Sequence, residues 1–266
     1  MSHDTPHLEL FQFPHSHFNE KARWGLDWKQ LPHVRTSLLP GPHALRVRRL
    51  CGGTETPVLR VGGREGAVVA GSAAILAELE RLKPEPRLWP EDPADAARAL
   101  EVQSFFDEEV GPPLRRAAFS LMIDHPDYLC GMFAGERSAP VRWLYRASFP
   151  LARGMMSASM GLDDPRAVEE GFATVRRALG LVVEEAGPEG YLAGPRFSVA
   201  DLTAASLLAP VADPPGSPME RPRPLPAGFG SWLEELAGHP GVAWVRGIYR
   251  KHRPTSSSAL ASGQRR

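Results

Sequence analysis

The first forty residues alternate between short apolar runs and a longer helix-forming segment. Residues 8–13 form an apolar run that ends at Pro14, and a run this short predicts a β-strand rather than a helix. Residues 17–29 contain strong helix formers and end before Pro32, which a helix interior does not accommodate, so we predict a helix there. Residues 34–39 predict a second strand.

The next segment adds a hairpin and another helix. Residues 44–50 mix basic and apolar side chains, which is compatible with a short helix or with an irregular link between strands. Residues 57–61 and 67–69 flank a glycine-rich turn, which predicts two antiparallel strands. A helix is predicted over 72–82. The order of elements indicates a mixed sheet covered by helices, the thioredoxin-like plan, within residues 1–83.

A proline-rich segment then separates two kinds of pattern. Residues 84–93 carry four prolines around Trp89, which is typical of a semi-rigid linker between domains. Apolar residues recur at helical spacing over 94–253, so the second domain is predicted to be all-α. Residues 210–226 are proline-dense and predict a long loop. The polar, serine-rich residues 254–266 predict a disordered tail.

Composition narrows the function classes. The 31 basic and 31 acidic side chains cancel, which argues against a nucleic acid or an anionic membrane as partner. Cys51 and Cys130 are far apart, with no spacing typical of a disulfide scaffold or a zinc site, so we expect no bound metal. The N-terminus has no apolar leader, and no apolar run is long enough to cross a bilayer. We expect a soluble, cytoplasmic protein.

Several short motifs occur in an informative order along these elements. They are Ser16-His17-Phe18-Asn19-Glu20-Lys21-Ala22-Arg23-Trp24, Thr56-Pro57-Val58-Leu59, Gly71-Ser72-Ala73-Ala74-Ile75-Leu76, Phe197-Ser198-Val199-Ala200-Asp201-Leu202 and His239-Pro240-Gly241-Val242-Ala243-Trp244. Together they resemble motifs of the cytosolic, bacterial-like glutathione S-transferases with serine at the catalytic position. The resemblance spans about residues 8–253 and implies that family's fold: a thioredoxin-like domain followed by an all-helical domain.

The resemblance implies a catalytic role for Ser16. In the family this position meets the glutathione thiol, and a serine O–H beside a helix N-terminus would stabilise the thiolate and lower the thiol pKa. The alternative is that Ser16 only caps the helix, since serine is a favoured N-cap residue. Asn19 stands where a CxxC relative carries its second cysteine, so dithiol chemistry is not expected. His15, His17 and Asn19 are possible neighbours of the site.

The resemblance also implies a set of glutathione-binding residues. Pro57 matches the family's cis-proline, which would let the Thr56 backbone pair with the cysteinyl part of glutathione, although a trans proline at a strand edge is the alternative. Ser72 opens a helix whose N-terminus suits the γ-glutamyl carboxylate. Gly71 stands where the family commonly has Glu, Asp or Gln, which would weaken glutathione binding.

The remaining candidates are less specific. His43 and Arg49 lie where the family places basic residues near the glycine carboxylate, but they equally suit a solvated basic face. A hydrophobic substrate is expected to meet Phe106, Phe119 and Met122, although such residues are usually core. Methionines at 155–160 suit an adaptable apolar pocket.

The leading functional hypothesis is an enzyme that activates glutathione, as co-substrate, against a hydrophobic electrophile. The alternative is a protein of the same fold that binds ligands without efficient thiol activation. A reductase or dehalogenase-like activity is the weakest hypothesis, because it usually needs cysteine at position 16. The resemblance further implies a homodimer. Ser198 and Asp201 predict a helix capping box with a structural role.

Overall fold

The structure is a computed structural model that describes residues 6–254 and the backbone of residues 259 and 260. The strands of the described residues are β1 Leu8–Gln12, β2 His33–Ser37, β3 Val58–Val61, β4 Ala67–Ala70 and β5 Ala259–Leu260. The α-helices are α1 His17–Trp28, α2 His43–Cys51, α3 Ser72–Leu82, α4 Pro93–Phe105, α5 Gly111–Ser120, α6 Pro126–Ala134, α7 Ala139–Met160, α8 Pro165–Glu184, α9 Val199–Ala212, α10 Ala227–Leu236 and α11 Pro240–His252. A π-helical turn, Phe106–Val110, joins α4 to α5.

The strands form one mixed sheet with the order β4-β3-β1-β2-β5. β1 runs parallel to β2, with Leu10 opposite Arg35, and antiparallel to β3, with Leu10 opposite Leu59. β3 and β4 form the hairpin expected from the glycine-rich turn. The parallel β1–β2 pair needs a crossover, and α1 supplies it. This topology confirms the thioredoxin-like N-terminal domain and the helical region after it.

The element boundaries agree closely with the sequence pattern, with one ambiguity resolved and one correction. The ambiguous basic stretch is a helix, α2, which ends at Gly52 in a left-handed conformation (φ 80°). The predicted loop at 210–226 begins later, because α9 continues through Pro210 to Ala212. Two arginine side chains cap the end of α9. Arg221 donates to the Pro210 carbonyl at 2.9 Å, and Arg246 donates to the Ala212 carbonyl at 2.8 Å. These bonds satisfy carbonyls that a helix end leaves unpaired.

The prediction of a disordered tail at 254–266 lies outside the described residues, apart from Pro254 and the backbone of β5. The division into residues 1–83, 84–93 and 94–253 stays a prediction. The boundary between the linker and the second domain falls at the start of α4, Pro93. Asp92 caps this helix by accepting from the backbone N–H groups of Ala94 and Asp95. None of the described helices is both long and apolar enough to cross a membrane.

One apolar core connects the sheet domain with the helical region. It contains Leu10 and Trp24 from the first part and Leu114, Val175 and Leu202 from the second. α9 is buried over nearly its whole length and packs against α1, α4 and α11. This arrangement holds α1 between the sheet and the helical region, and α1 is the element that begins at Ser16.

The predicted capping box of α9 is present. The Ser198 hydroxyl accepts from the Ala200 N–H at 3.2 Å, and Asp201 accepts from the Ser198 N–H at 2.9 Å and from the Leu192 N–H at 2.8 Å. Burial raises the pKa of Asp201 to about 6, against these hydrogen bonds, which favour the carboxylate. The box fixes the start of the central helix, as the sequence motif predicted.

α6 and α7 form a helical hairpin in the second domain. The two helices pack on each other, while α7 makes only slight contact with α5. α7 buries Tyr145 and Phe149, but most of its remaining surface is exposed. The exposed large apolar side chains of α7 are Val141, Trp143, Leu144, Leu151 and Met155.

Candidate functional site

Ser16 lies at the junction between β1 and α1, with its hydroxyl not engaged in capping. It is the N-cap residue of α1, in extended conformation, and its side chain makes no capping hydrogen bond. Its carbonyl accepts from the Glu20 N–H at 2.8 Å, and the side chain is half-buried. The hydroxyl therefore remains available to a group placed over the N-terminus of α1, where the helix dipole favours negative charge.

Arg23 fixes the loop that carries Ser16. Its guanidinium is buried and donates to the Pro14 carbonyl at 2.8 Å, to the Gln12 side chain at 2.6 Å and, less closely, to the Phe13 carbonyl at 3.4 Å. Glu20 accepts from Arg23 at 2.8 Å and neutralises it. The loop geometry therefore depends on an arginine one to two helical turns further along α1.

The buried charge network extends to the end of α11. Glu20 also accepts from Arg253 at 2.7 Å, and Arg253 donates to Asp27 at 2.9 Å. The Arg253 and Arg23 charges hold the pKa of Glu20 below its usual value although burial alone would raise it. The sequence pattern missed this network, because charged residues in a helix usually indicate a solvated face. The only signal was the Lys-x-Arg spacing within the family-like motif.

The loop before β3 reaches the first turn of α1. The Thr56–Pro57 peptide bond is cis, in agreement with the resemblance. Asn19 of α1 is fully buried and donates from Nδ2 to the Thr56 hydroxyl at 3.2 Å. The Pro57 carbonyl accepts from the Gly71 N–H at 3.0 Å, which continues the β3–β4 ladder to the start of α3. Asn19, Thr56, Pro57 and Gly71 are thus brought together beside Ser16.

Gly71 and Ser72 form the start of α3. Gly71 has φ 91° and ψ 141°, a backbone conformation that residues other than glycine rarely adopt. It delivers Ser72, which is only 6% exposed, to the first helical position. The N–H groups of this first turn have no intrahelical partners, so they suit a carboxylate.

His43 lies near this cluster, whereas Arg49 does not contact it. The His43 ring packs edge-on against Phe13 with centroids 4.7 Å apart, and its Nδ1 accepts from the Gly41 N–H at 3.1 Å. Burial lowers the pKa of His43, against a backbone hydrogen bond at Thr54. Arg49 is exposed in the last turn of α2.

His15 and His17 differ in their surroundings. Burial lowers the pKa of His17 to about 3, aided by the charge of Arg115, so the ring is neutral. Burial and then the charge of Arg23 lower the pKa of His15 to about 4. His15 borders a small pocket of about 20 Å³, with Met219 and Arg221 on its other side. A space of this size holds about one water molecule.

Comparisons with known proteins bear on this geometry. Residues 10–87, which contain Ser16, Thr56 and Ser72, match the family model of the glutathione S-transferase N-terminal domain. The chain has the glutathione S-transferase fold. No curated protein sequence matches the chain.

Solved structures support the glutathione S-transferase fold over nearly the whole chain. FzlA from C. crescentus is 24% identical, with 96% of each chain covered and a TM-score of 0.54. A possible glutathione S-transferase from Rhodopseudomonas palustris is 18% identical, with 93% of this chain and 94% of that chain covered and a TM-score of 0.58. A glutathione transferase from Pseudomonas putida, with glutathione disulfide bound, is 15% identical, with 94% of this chain and 88% of that chain covered and a TM-score of 0.61.

The residues expected to meet a hydrophobic substrate have different environments in this glutathione S-transferase fold. Phe106 is fully buried in the core and Met122 nearly so. Phe119 is half-buried and stacks on Phe133 with centroids 6.3 Å apart. Of the three, only Phe119 keeps appreciable exposed surface, and their role in substrate binding stays a prediction. Among the described residues, no group of three or more His, Cys, Asp or Glu side chains is close enough to hold a metal ion.

Proposed function

We propose that the protein binds glutathione between the starts of α1 and α3 and activates its thiol against an electrophilic substrate. The observation that carries this proposal is the hydroxyl of Ser16, which stands at the N-terminus of α1 and makes no capping bond. A thiolate at this position would accept a hydrogen bond from Ser16 and would meet the positive end of the helix dipole. Both interactions favour the anion and lower the thiol pKa.

The rest of the tripeptide fits the neighbouring groups. The first turn of α3, with Ser72, offers unpaired N–H groups to the γ-glutamyl carboxylate. Thr56 is held against α1 by Asn19, so its backbone has a fixed position for pairing with the cysteinyl part. His43 lies beside the same loop, but burial lowers its pKa and its ring is hydrogen-bonded to the backbone at Gly41 and Thr54, so neither it nor the exposed Arg49 gains support as the partner of the glycine carboxylate. Ser16, Thr56 and Ser72 are therefore the residues that we assign to glutathione.

The experiment combines isothermal titration calorimetry with glutathione and a spectrophotometric conjugation assay with an aryl halide. Ser16→Ala is expected to lower kcat/KM by about 10- to 100-fold, the loss of one charge-assisted hydrogen bond, with little change in glutathione affinity. Ser72→Ala is expected to weaken glutathione binding instead. No glutathione binding by the wild type at millimolar concentration would overturn the proposal.

A second candidate function is ligand binding without efficient thiol activation, and Gly71 is the observation that favours it. The side chain that the family commonly places there is missing, and the backbone conformation at φ 91° disfavours its return. This hypothesis expects an apolar ligand, such as an anilinonaphthalene sulfonate, to bind equally well with and without glutathione. It also expects Ser16→Ala to have no effect on any measured rate.

We also propose that the protein works in the cytoplasm as a homodimer. Cys51 and Cys130 are both free, which suits a reducing compartment.

The exposed face of α7 opposite Tyr145 consists of apolar and small residues without a charge, so it meets an identical face without like-charge repulsion. Arg146 and Arg153, which flank it, are paired with Asp127 and Asp124. A second copy of this chain therefore fits this face better than an anionic surface does.

A further inference from the structure

Arg115 lies on the helix that closes the side of the candidate site. α5 approaches the start of α1 closely at Gly111, where an added Cβ would come within 2.5 Å of the Phe18 ring. Arg115 follows Gly111 by four residues, so both lie on the same face of α5. Arg115 therefore lies on the side of α5 that faces the first turn of α1.

Arg115 is the exception among the buried and half-buried arginines of the described residues. Every other described arginine that is buried or half-buried donates to a carboxylate or a carbonyl oxygen, as Arg23 and Arg116 do. Arg115 is half-buried, and its Nε is fully buried without a hydrogen-bond partner. A buried, charged donor without a partner is costly, so such a group in a folded protein calls for an explanation.

The groups around Arg115 locate it between α1 and the loop before β3. Its charge helps to lower the pKa of His17, the residue after Ser16. Burial lowers the pKa of the Arg115 guanidinium, the carboxylate of Glu55 raises it, and the charge of Arg116 lowers it further. Glu55, the residue before Thr56, is exposed and makes no ion pair with Arg115.

Two further buried polar atoms beside this position lack partners, and both lie in the first turn of α1. They are Nε2 of His17 and Oδ1 of Asn19. Both side chains are more than nine-tenths buried. Unpaired buried polar atoms also occur elsewhere in the described residues, but these two lie in the first turn of α1, where a polar ligand at the candidate site would satisfy them.

We propose that Arg115 binds a carboxylate of the electrophilic substrate, so that the preferred substrates are electrophiles carrying an acid group. This inference rests on the proposed transferase function and names its substrate class. Of glutathione's two carboxylates, the γ-glutamyl one has the start of α3 available to it, and the resemblance places the glycine one near α2, which leaves the guanidinium of α5 for the second substrate. A planar guanidinium binds a carboxylate through two parallel N–H donors, so it also orients the electrophile towards the thiol.

The test uses two aryl halides of nearly identical shape, 4-chloro-3-nitrobenzoate and 4-chloro-3-nitrobenzamide. In either reaction the glutathione sulfur attacks the chlorine-bearing carbon, the new C–S bond replaces C–Cl, chloride leaves and the thiol proton passes to solvent. The wild type is expected to prefer the benzoate. Arg115→Met is expected to lower kcat/KM for the benzoate by about 10- to 100-fold, the loss of a charge-assisted pair, and to change the benzamide value less than twofold.

Three controls separate this role from others. Arg115→Lys keeps the charge and is expected to restore part of the preference, whereas Arg166→Met removes an exposed positive charge of α8 and is expected to change neither substrate. Glu55→Gln is expected to leave the preference intact. A purely structural role for Arg115 would lower the melting temperature of Arg115→Met and leave the ratio of the two substrates unchanged, which would overturn the inference.

A calorimetric arm keeps this inference distinct from the proposed function. Glutathione and the non-reactive pair 4-nitrobenzoate and 4-nitrobenzamide are titrated separately into wild type and Arg115→Met. If glutathione fails to bind but 4-nitrobenzoate binds through Arg115, the transferase function fails and the acid site stands. If Arg115→Met weakens glutathione alone, the carboxylate is glutathione's and the inference is wrong.

Discussion

Gly71 illustrates how one residue sets both the geometry and the chemistry of the site. Its φ of 91° places Ser72 at the start of α3, and an added Cβ there would meet no atom within 4 Å. Any cost of a side chain at this position therefore comes from the backbone conformation and not from a clash.

We expect Gly71→Ala to lower the free energy of unfolding by about 1–3 kcal/mol, because the alanine Cβ disfavours this conformation. Urea denaturation measures the change. Gly131→Ala is the matched control: Gly131 lies in α6 without a positive φ and with open space around it, so alanine should stabilise by about 0.5–1 kcal/mol. An unchanged midpoint for Gly71→Ala would mean that α3 can start in another conformation.

His17 gives the fold a dependence on acid. The pKa of His17 is about 3 in the folded protein and 6.5 in the unfolded chain, so the unfolded chain binds the proton more tightly. The stability from this residue is complete above pH 6.5 and falls as the pH drops towards 3. At pH 5 the loss is about 2 kcal/mol, from the 1.5-unit gap between pH 5 and 6.5.

We therefore expect His17→Gln to reduce the loss of stability between pH 7.5 and pH 5 by about 2 kcal/mol, measured by urea denaturation at each pH. His15 remains in this variant and keeps a similar contribution. His7→Gln, at an exposed histidine, is the control and should behave as wild type. The same pH dependence in His17→Gln and wild type would show that the ring is not held neutral.

At the residue scale, the sequence predicted the groups that belong to short motifs and missed those that act through burial. Ser16, the cis-proline turn at Pro57 and the glycine before Ser72 each stand at a fixed place in a motif. The roles of Arg23 and Arg115 depend on what packs over α1 and α5, and nothing in the local pattern reveals whether a charged residue is covered.

The same limit applies to a whole element, α1. Its sequence carries Glu20, Lys21, Arg23 and Asp27, which would ordinarily indicate an exposed helix, yet all four side chains are buried. They are covered because α9 packs against α1 and the end of α11 reaches it through Tyr249 and Arg253, and each charge has a partner in the fold. Element type and bounds were predictable from local pattern, whereas the burial of this helix depends on contacts over two hundred residues away.

The ion pair between Lys21 and Asp107 joins α1 to the π-helical turn at 2.5 Å. Lys21 is fully buried, and burial lowers its pKa to about 8 although Asp107 opposes this shift. We expect Asp107→Asn to destabilise the protein by about 3–5 kcal/mol near pH 6, where Lys21 must stay charged without a partner. Chemical denaturation measures the loss.

This deficit should shrink as the pH rises. Without Asp107 the pKa of Lys21 falls further, so the lysine sheds its proton and the folded state gains relative to the unfolded state as pH approaches 9. Glu101→Gln, which breaks an exposed pair with Arg98, should cost less than about 1 kcal/mol at either pH. An Asp107→Asn deficit that is equally small would place Lys21 in contact with water.

At the scale of the whole molecule, one core unites the two parts, and the α6–α7 hairpin joins it through residues such as Leu129 and Tyr145 while most of α7 stays exposed. Leu144, Leu151 and Ala158 recur every seven residues along α7, with small residues such as Ala147 and Gly154 between them. This spacing is typical of a helix that packs against another helix, and the small residues allow close approach. The local pattern predicted a helix here but not an exposed one, because apolar residues in a helix usually indicate a core.

We expect the wild type to be a dimer by multi-angle light scattering at micromolar concentration, and Leu151→Arg to be a monomer. Leu151 is 72% exposed in the single chain, so an arginine there costs the monomer little, but in a paired α7 it would place a charge opposite its own copy. Leu100→Arg, at a half-exposed leucine of α4, is the control and should stay dimeric. Both variants should stay folded, with the wild-type circular dichroism spectrum, so that a change of mass reports association and not unfolding. If Leu100→Arg dissociates the dimer and Leu151→Arg does not, the two copies meet through α4 and the uncharged face of α7 has another purpose.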